Sequence, residues 1–168
     1  MASSNAVTAA IHFQGMRMYV ETIPQRHVIG KLMKVSQIDL LLASPLRRAL
    51  QTCSIAFESE VKRGMKIIAL PMAEEASDAP CDTGSELDVL QAEFPDTVDF
   101  DNVKHGWWLH EGEYAFEPKA LISRAAKLRR WIKARPEKEV VLVAHGFFNH
   151  FLTGDVDIEG NQTTPVSI

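Results

Sequence analysis

Two short segments of the chain carry residue types that could hold a phosphate group. In the first, Ser44 precedes a predicted helix whose first turn contains Arg47 and Arg48, and in the second, His145 ends an apolar run before Gly146. A helix N-terminus presents free N–H groups, and an arginine beside it adds a planar pair of donors, so this combination suits a phosphate. The alternative is that both arginines are solvated helix charges and that the histidine is a hydrogen-bonded core residue. The residue types alone leave both interpretations open.

The elements that must position these residues alternate between strands and helices. Short apolar runs predict buried strands at 38–43, 66–70 and 139–144. Helical spacing and capping residues, with Ser44 as N-cap and Pro45 at the first helical position, predict helices at 45–57, 85–93, 118–135 and 146–152. Weaker patterns predict a strand at 7–13, a helix at 25–33, an acidic surface loop at 71–84 and an irregular segment at 94–116.

This order of elements is typical of an α/β fold with a mostly parallel sheet. Ligands of open parallel sheets bind beyond the carboxyl ends of the strands. We therefore expect Ser44 and His145 to lie at neighbouring strand ends and to share one pocket.

The composition favours a small single domain, residues 1–168, in the cytoplasm. The net charge is -4 without a Lys/Arg run, and no apolar stretch is long enough for a membrane span, so we expect neither nucleic acid nor a membrane as a partner. Two cysteines cannot form a disulfide framework, and the positions six residues after them hold Ser59 and Leu87 rather than the arginine that a cysteine-type phosphatase needs. No set of metal ligands is evident, and we expect no cofactor.

Three motifs resemble the histidine phosphatase superfamily, the phosphoglycerate mutase-like proteins. Residues 44–52 read SPLRRALQT and resemble the family segment S-P-x-x-R-A-x-Q-T, and residues 141–146 resemble the second histidine motif. Residues 71–78 resemble the acidic loop, and 76–85 is similar to fungal members in particular. The resemblance covers roughly 38–153 in the family's order. It implies a three-layer α/β sandwich, here shortened at both ends.

The resemblance also implies roles for individual residues. In the family, a neutral histidine attacks phosphorus, arginines and a second histidine hold the phosphoryl oxygens, and a carboxylic acid protonates the leaving oxygen. By motif position, Arg48, Ser44 and His145 would bind the substrate, and His145 and Glu75 would be catalytic. The family motif leaves the position of Arg47 open.

The nucleophile motif of the family, Arg-His-Gly or Arg-His-Ala directly after the first strand, is missing. Residues 10–16 read AIHFQGM, so we assign them to the family's first strand with the Arg-His block absent and His12 upstream of the nucleophile position. The pair Arg26-His27 aligns better with the first helix, and the tail at 154–168 does not read as the further strand that we expect there.

Three functions therefore stay open. The first is phosphatase or mutase-type chemistry on a small-molecule phosphoester or other anionic metabolite. The second is a catalytically degenerate member that binds an anion or a protein partner. The third is a non-phosphatase enzyme in which His145 and Glu75 act as acid and base. An aromatic patch of Trp107, Trp108, His105 and His110 could roof the pocket, although core and lid packing is the simpler interpretation.

Overall fold

The structure, a computed structural model, describes residues 9–13, 16–22 and 37–153. The helix predicted at 25–33, the Arg26-His27 pair and the tail at 154–168 lie outside the described residues. The strands of the described part are β1 (Ala9–Phe13), β2 (Met16–Thr22), β3 (Leu40–Ala43), β4 (Ile67–Ala69), β5 (Val98–Asp99) and β6 (Glu139–Ala144). They form one sheet in the order β1-β2-β6-β3-β4-β5. All neighbours are parallel except β1 and β2, which are antiparallel.

Helices cover both faces of this sheet. They are α1 (Arg47–Ala56), α2 (Glu58–Lys62), α3 (Leu87–Glu93), α4 (Pro118–Lys133) and α5 (Gly146–Thr153), with short 3₁₀ helices at Pro71–Ala73, Pro80–Asp82 and Gly112–Tyr114. Along β3, Leu40 and Leu42 pack in the core with α4 and α5, whereas Leu41 and Ala43 pack in the core with α1 and α3. Successive strand residues point to opposite faces, so β3 is buried on both sides. The predicted three-layer α/β sandwich with a mostly parallel sheet is confirmed.

The strongest sequence signals give the most accurate boundaries. Strand β6 has the predicted bounds, and α4 starts at the predicted Pro118 and ends two residues early, at Lys133. Helix α1 begins at Arg47, so the prediction of Ser44 as N-cap and Pro45 as first helical residue is wrong. The N–H of Ser44 still donates to the carbonyl of Val143 in the sheet (3.0 Å), so the chain leaves the strand too late for a helix to start there.

The segment 71–84 is a surface loop only in its second half, where most residues are exposed or half-buried, and not in its first half. Ala73, Glu74, Ala76 and Asp82 are buried in it. The two short 3₁₀ helices of the segment lie in the connection between β4 and α3. The segment 94–116, predicted as irregular, contributes the short edge strand β5, which pairs with β4.

The assignment of residues 10–16 to the family's first strand is also wrong. Phe13, the last residue of β1, pairs with Met16, the first residue of β2, and therefore lies at the amino-end edge of the parallel strands. The end of β1 is consequently on the edge opposite His145. The strand that ends beside β6 is β2, where Thr22 pairs with Ala144. Its alternating sequence, MRMYVET, was a usable strand signal.

Candidate active site

Two neighbouring strand ends form the floor of the candidate site. Ala43 of β3 pairs with Val143 of β6, so Ser44 and His145 follow adjacent strands at the same edge of the sheet. Helix α1 begins shortly after Ser44, and helix α5 begins directly after His145. The predicted placement of these two residues at neighbouring strand ends is confirmed.

Arg48 contacts His145 directly. Its Nη2 lies 3.1 Å from Nδ1 of the imidazole. A guanidinium only donates hydrogen bonds, so Nδ1 is the acceptor and the ring proton is on Nε2. Burial, together with the nearby Arg48 cation, lowers the pKa of His145 to about 3, so the ring is neutral at physiological pH. Among the described residues nothing bonds to the buried Nε2, which leaves one imidazole donor for a ligand.

Two further acceptors hold the Arg48 guanidinium. Nη1 donates to the carbonyl oxygen of Cys81, and Nη2 donates to Oδ1 of Asp82, each at 2.6 Å. The Asp82 side chain is only 9% exposed, whereas that of Arg48 is 35% exposed. Asp82 was not among the predicted site residues, although it lies within the run that resembles fungal members.

Glu75 lies at the N-terminus of α5. Its Oε1 accepts the N–H groups of Ala76 and Phe148, both at 2.9 Å. Phe148 is in the first turn of α5, three residues after His145, so these bonds bring the carboxylate to the same strand end. The structure therefore brings together three of the four predicted site residues, namely Arg48, His145 and Glu75.

A buried hydrogen-bonded pair, Arg124 and Glu74, lies behind Glu75. Nη1 of Arg124 donates to Oε1 of Glu74 at 2.7 Å, and both side chains are almost fully buried. Nη2 of Arg124 reaches the carbonyl oxygens of Glu74 and Glu75 at 3.2 and 3.4 Å. The guanidinium also lies 4.6 Å from the centre of the Phe148 ring. Arg124 thus ties the backbone that carries Glu75 to the helix that Glu75 caps.

Burial dominates the electrostatics of this pair. It raises the pKa of Glu74 to about 8, with Arg124 acting in the opposite direction. Neither residue was predicted. A signal was present, because Arg124 interrupts the apolar stripe of α4 between Leu121 and Leu128, and a charge in a buried stripe requires a partner.

Ser44 and Arg47 have other contacts. Ser44 is fully buried, and its hydroxyl oxygen accepts the N–H of Leu46 at 3.3 Å. The hydroxyl can still donate its own hydrogen. Arg47 forms a surface ion pair with Glu93 of α3, so it helps to join α1 to α3 and does not contact His145.

The two adjacent tryptophans pack over the loop that follows Asp82. Their rings meet edge to face, with centroids 6.0 Å apart, and Nε1 of Trp107 donates to the carbonyl of Ser85 at 3.1 Å. A Cβ on Gly84 would lie 2.5 Å from a carbon of the Trp107 ring, so only glycine fits at this position. Trp107 belongs to the buried core, as the simpler interpretation predicted.

The remaining candidate groups offer no second centre in the described residues. Cys53 is buried, which raises its pKa and keeps the thiol protonated, whereas Cys81 is exposed. In the described ranges no cluster of His, Cys, Asp and Glu could hold a metal ion. No helix in the same part of the chain is long and apolar enough to cross a membrane.

The fold and the site define a class of α/β proteins that place arginine, histidine and carboxylate groups at the carboxyl edge of a parallel sheet. Residues 21–162 match the sequence model of the histidine phosphatase superfamily, branch 1. Because this match covers most of the chain, the chain belongs to that superfamily.

A similar protein from Schizosaccharomyces pombe is described as a probable phosphatase. The two sequences are 30% identical over 112 residues, which is 65% of this chain and 51% of that protein. The chain thus spans about half the length of the curated relative that it matches.

Proposed function

We propose that the chain carries out phosphatase or mutase-type chemistry on a small phosphorylated metabolite, with activity well below that of relatives that have the complete motif set. Arg48 and the Nε2–H of His145 would hold the phosphoryl oxygens, with Ser44 at the edge of the same binding set. Glu75 would protonate the leaving oxygen. Membership of the superfamily and the S. pombe relative support the reaction class.

The observation that carries this proposal is the contact between Arg48 and the neutral His145. The guanidinium fixes the tautomer, so the imidazole offers a proton donor rather than a lone pair at its unpartnered nitrogen. Such a ring stabilises charge on phosphoryl oxygens and cannot attack phosphorus through that nitrogen. Glu75 at the adjacent helix N-terminus supplies the carboxyl group for proton transfer.

We expect low activity because of the residues that follow β2 in the sequence. Thr22, which pairs with the last residue of β6, is followed by Ile23 and Pro24 rather than by Arg-His. We expect the covalent route to be lost if no other histidine enters the site. Water would then attack phosphorus directly, Glu75 would protonate the leaving oxygen, and the charge stabilisation by Arg48 and His145 would remain. Removing a nucleophile commonly costs several orders of magnitude and leaves a residual acceleration.

The test is hydrolysis of p-nitrophenyl phosphate by the purified chain. We expect turnover far below the ordinary enzyme range of about 1–1000 per second. His145→Gln and Glu75→Gln should abolish the residual rate, whereas His27→Gln and the exposed control His105→Gln should leave it unchanged. Turnover in the ordinary range, with a phosphohistidine trapped at His12 or His27, would contradict the proposal.

A catalytically degenerate member is the second candidate, favoured by the absence of Arg-His directly after β2. It predicts anion binding without any hydrolysis. If the chain is instead a non-phosphatase enzyme with His145 and Glu75 as acid and base, the wild type should not hydrolyse the phosphoester, and the variants should show no change. We also propose a fungal-type, single-domain protein located in the cytoplasm, which uses no cofactor and binds a small anionic molecule rather than nucleic acid or a membrane.

A further inference from the structure

Arg48 has no free edge for a phosphoryl group. A guanidinium carries five N–H hydrogens and has two planar edges on which a bidentate acceptor can sit. One edge pairs Nε with Nη2, and the other pairs Nη1 with Nη2. Each edge therefore requires one Nη2 hydrogen.

Both Nη2 hydrogens of Arg48 are already engaged. One donates to Oδ1 of Asp82 at 2.6 Å, and the other donates to Nδ1 of His145 at 3.1 Å. A phosphoryl group can bind Arg48 with two oxygens only if one of these two acceptors leaves. One Nη1 hydrogen donates to the carbonyl of Cys81. The two hydrogens of Arg48 that remain, one on Nε and one on Nη1, do not share an edge.

Asp82 is the acceptor that can leave. His145 follows directly on β6 in the middle of the sheet and is 2% exposed. Asp82 belongs to a three-residue 3₁₀ helix with two backbone hydrogen bonds. The N–H of Asp82 donates to the carbonyl of Ala79, and the N–H of Thr83 donates to the carbonyl of Pro80. Moving His145 requires a change in the sheet, whereas moving Asp82 requires only a local change in a connecting segment.

We propose that the Asp82 carboxylate is an internal competitor for the phosphoryl site, so that an oxyanion binds Arg48 by replacing it. This inference rests on the proposed function, because it concerns the same phosphate site. The exchange keeps one negative partner on the cation throughout. It also favours oxyanions that place two oxygens on one edge over the single oxygen that Asp82 uses.

Sulfate binding by calorimetry tests the exchange, with the wild-type chain, Asp82→Asn and Asp78→Asn. Asp82→Asn removes the competing charge and nearly preserves the shape, so it should bind sulfate at least about fivefold more tightly, the factor that corresponds to a partly exposed ion pair. Asp78 is exposed on the same loop without contacting Arg48, and Asp78→Asn controls for the loss of charge alone, with an expected change below about twofold.

Each result distinguishes a competing role of Asp82 from a positioning role. Weaker sulfate binding by Asp82→Asn would show that Asp82 positions Arg48, and an effect equal to that of Asp78→Asn would show that only the overall charge matters; both overturn the competition. Sulfate binding by Asp82→Asn but not by the wild type would support it. Absence of binding in all three proteins would contradict the proposed function itself, together with the competition at its site.

Hydrogen exchange in the wild-type chain gives a second test that does not depend on a variant. Release of Asp82 should expose the amides of Asp82 and Thr83, so saturating sulfate should speed their exchange relative to chloride at equal ionic strength. Slower or unchanged exchange at these amides, with sulfate bound, would overturn the replacement of Asp82 by the oxyanion.

Discussion

Replacing Glu74 by glutamine should change the pH dependence of stability in a defined direction. Glu74 is buried against Arg124, and burial raises its pKa from 4.5 to about 8. The folded state therefore retains a proton that the unfolded state releases. The stability contributed by this group is fully present below pH 4.5 and is lost as the pH rises toward 8. Glutamine keeps an acceptor for Arg124 but does not titrate.

The size of the effect follows from linkage. Between the two pKa values, one retained proton gives a slope of up to about 1.4 kcal/mol per pH unit. The free energy of unfolding of Glu74→Gln minus that of the wild type should rise by about this amount per unit. The lowered pKa of His145 gives a stability contribution with the opposite pH dependence, which is lost as the pH falls below 6.5. This contribution is common to both proteins and cancels in the difference.

Urea unfolding followed by tryptophan fluorescence, from pH 4.5 to pH 9, measures this difference. Glu113→Gln is the matched control, because Glu113 pairs with Lys127 at the surface and each side chain is about half exposed. Its effect should stay below about 1 kcal/mol. If the wild type instead gains stability over Glu74→Gln as the pH rises, Arg124 holds the carboxylate ionised, which contradicts a raised pKa of Glu74.

Three further outcomes are expected. Arg124→Met should lower the free energy of unfolding by about 3–5 kcal/mol in urea titrations, because it leaves a buried carboxyl group and two carbonyls without a donor. The control Lys127→Met, on the same helix, should lower it by at most about 1 kcal/mol. Equal effects of the two substitutions would contradict the buried pair. Gly84→Ala should cost about 1–3 kcal/mol through overpacking against Trp107, and unchanged thermal unfolding would show that the ring can move aside. The imidazole resonances of His145 in nuclear magnetic resonance should not shift between pH 5 and pH 8, and a titration within that range would contradict the burial of the ring.

The sequence predicts the elements whose apolar pattern is continuous. Strand β6 and helix α4 follow from unbroken periodicity, and the Ser44 and His145 strand ends follow from the rule for parallel sheets. Strand β2 is not predicted, because its alternating pattern is short and lies next to β1, to which the sequence assigns the family's first strand. Local patterns cannot tell an antiparallel edge strand from the parallel strand beside it.

Part of the site depends on contacts between residues far apart in the chain. Arg124 and Glu74 are 50 residues apart, and Arg48 and Asp82 are 34 residues apart, so no local spacing signals either pair. The sequence shows only that a charge interrupts the stripe of α4. Which carboxylate pairs with each arginine depends on how the segment 71–84 buries Glu74 and Asp82. The polar composition of this segment predicts a surface loop instead.

The most direct test of the proposed site is vanadate binding by the wild-type chain, Arg48→Ala and Arg47→Ala. The two arginines are adjacent in α1, but Arg48 contacts His145 and Arg47 pairs with Glu93. Loss of charge-assisted hydrogen bonds should weaken binding to Arg48→Ala by roughly 1.5–3 kcal/mol, or about 10- to 150-fold, and leave Arg47→Ala near the wild type. Vanadate binding that is unchanged in Arg48→Ala, or weakened equally in both variants, would contradict a phosphoryl site at this strand end.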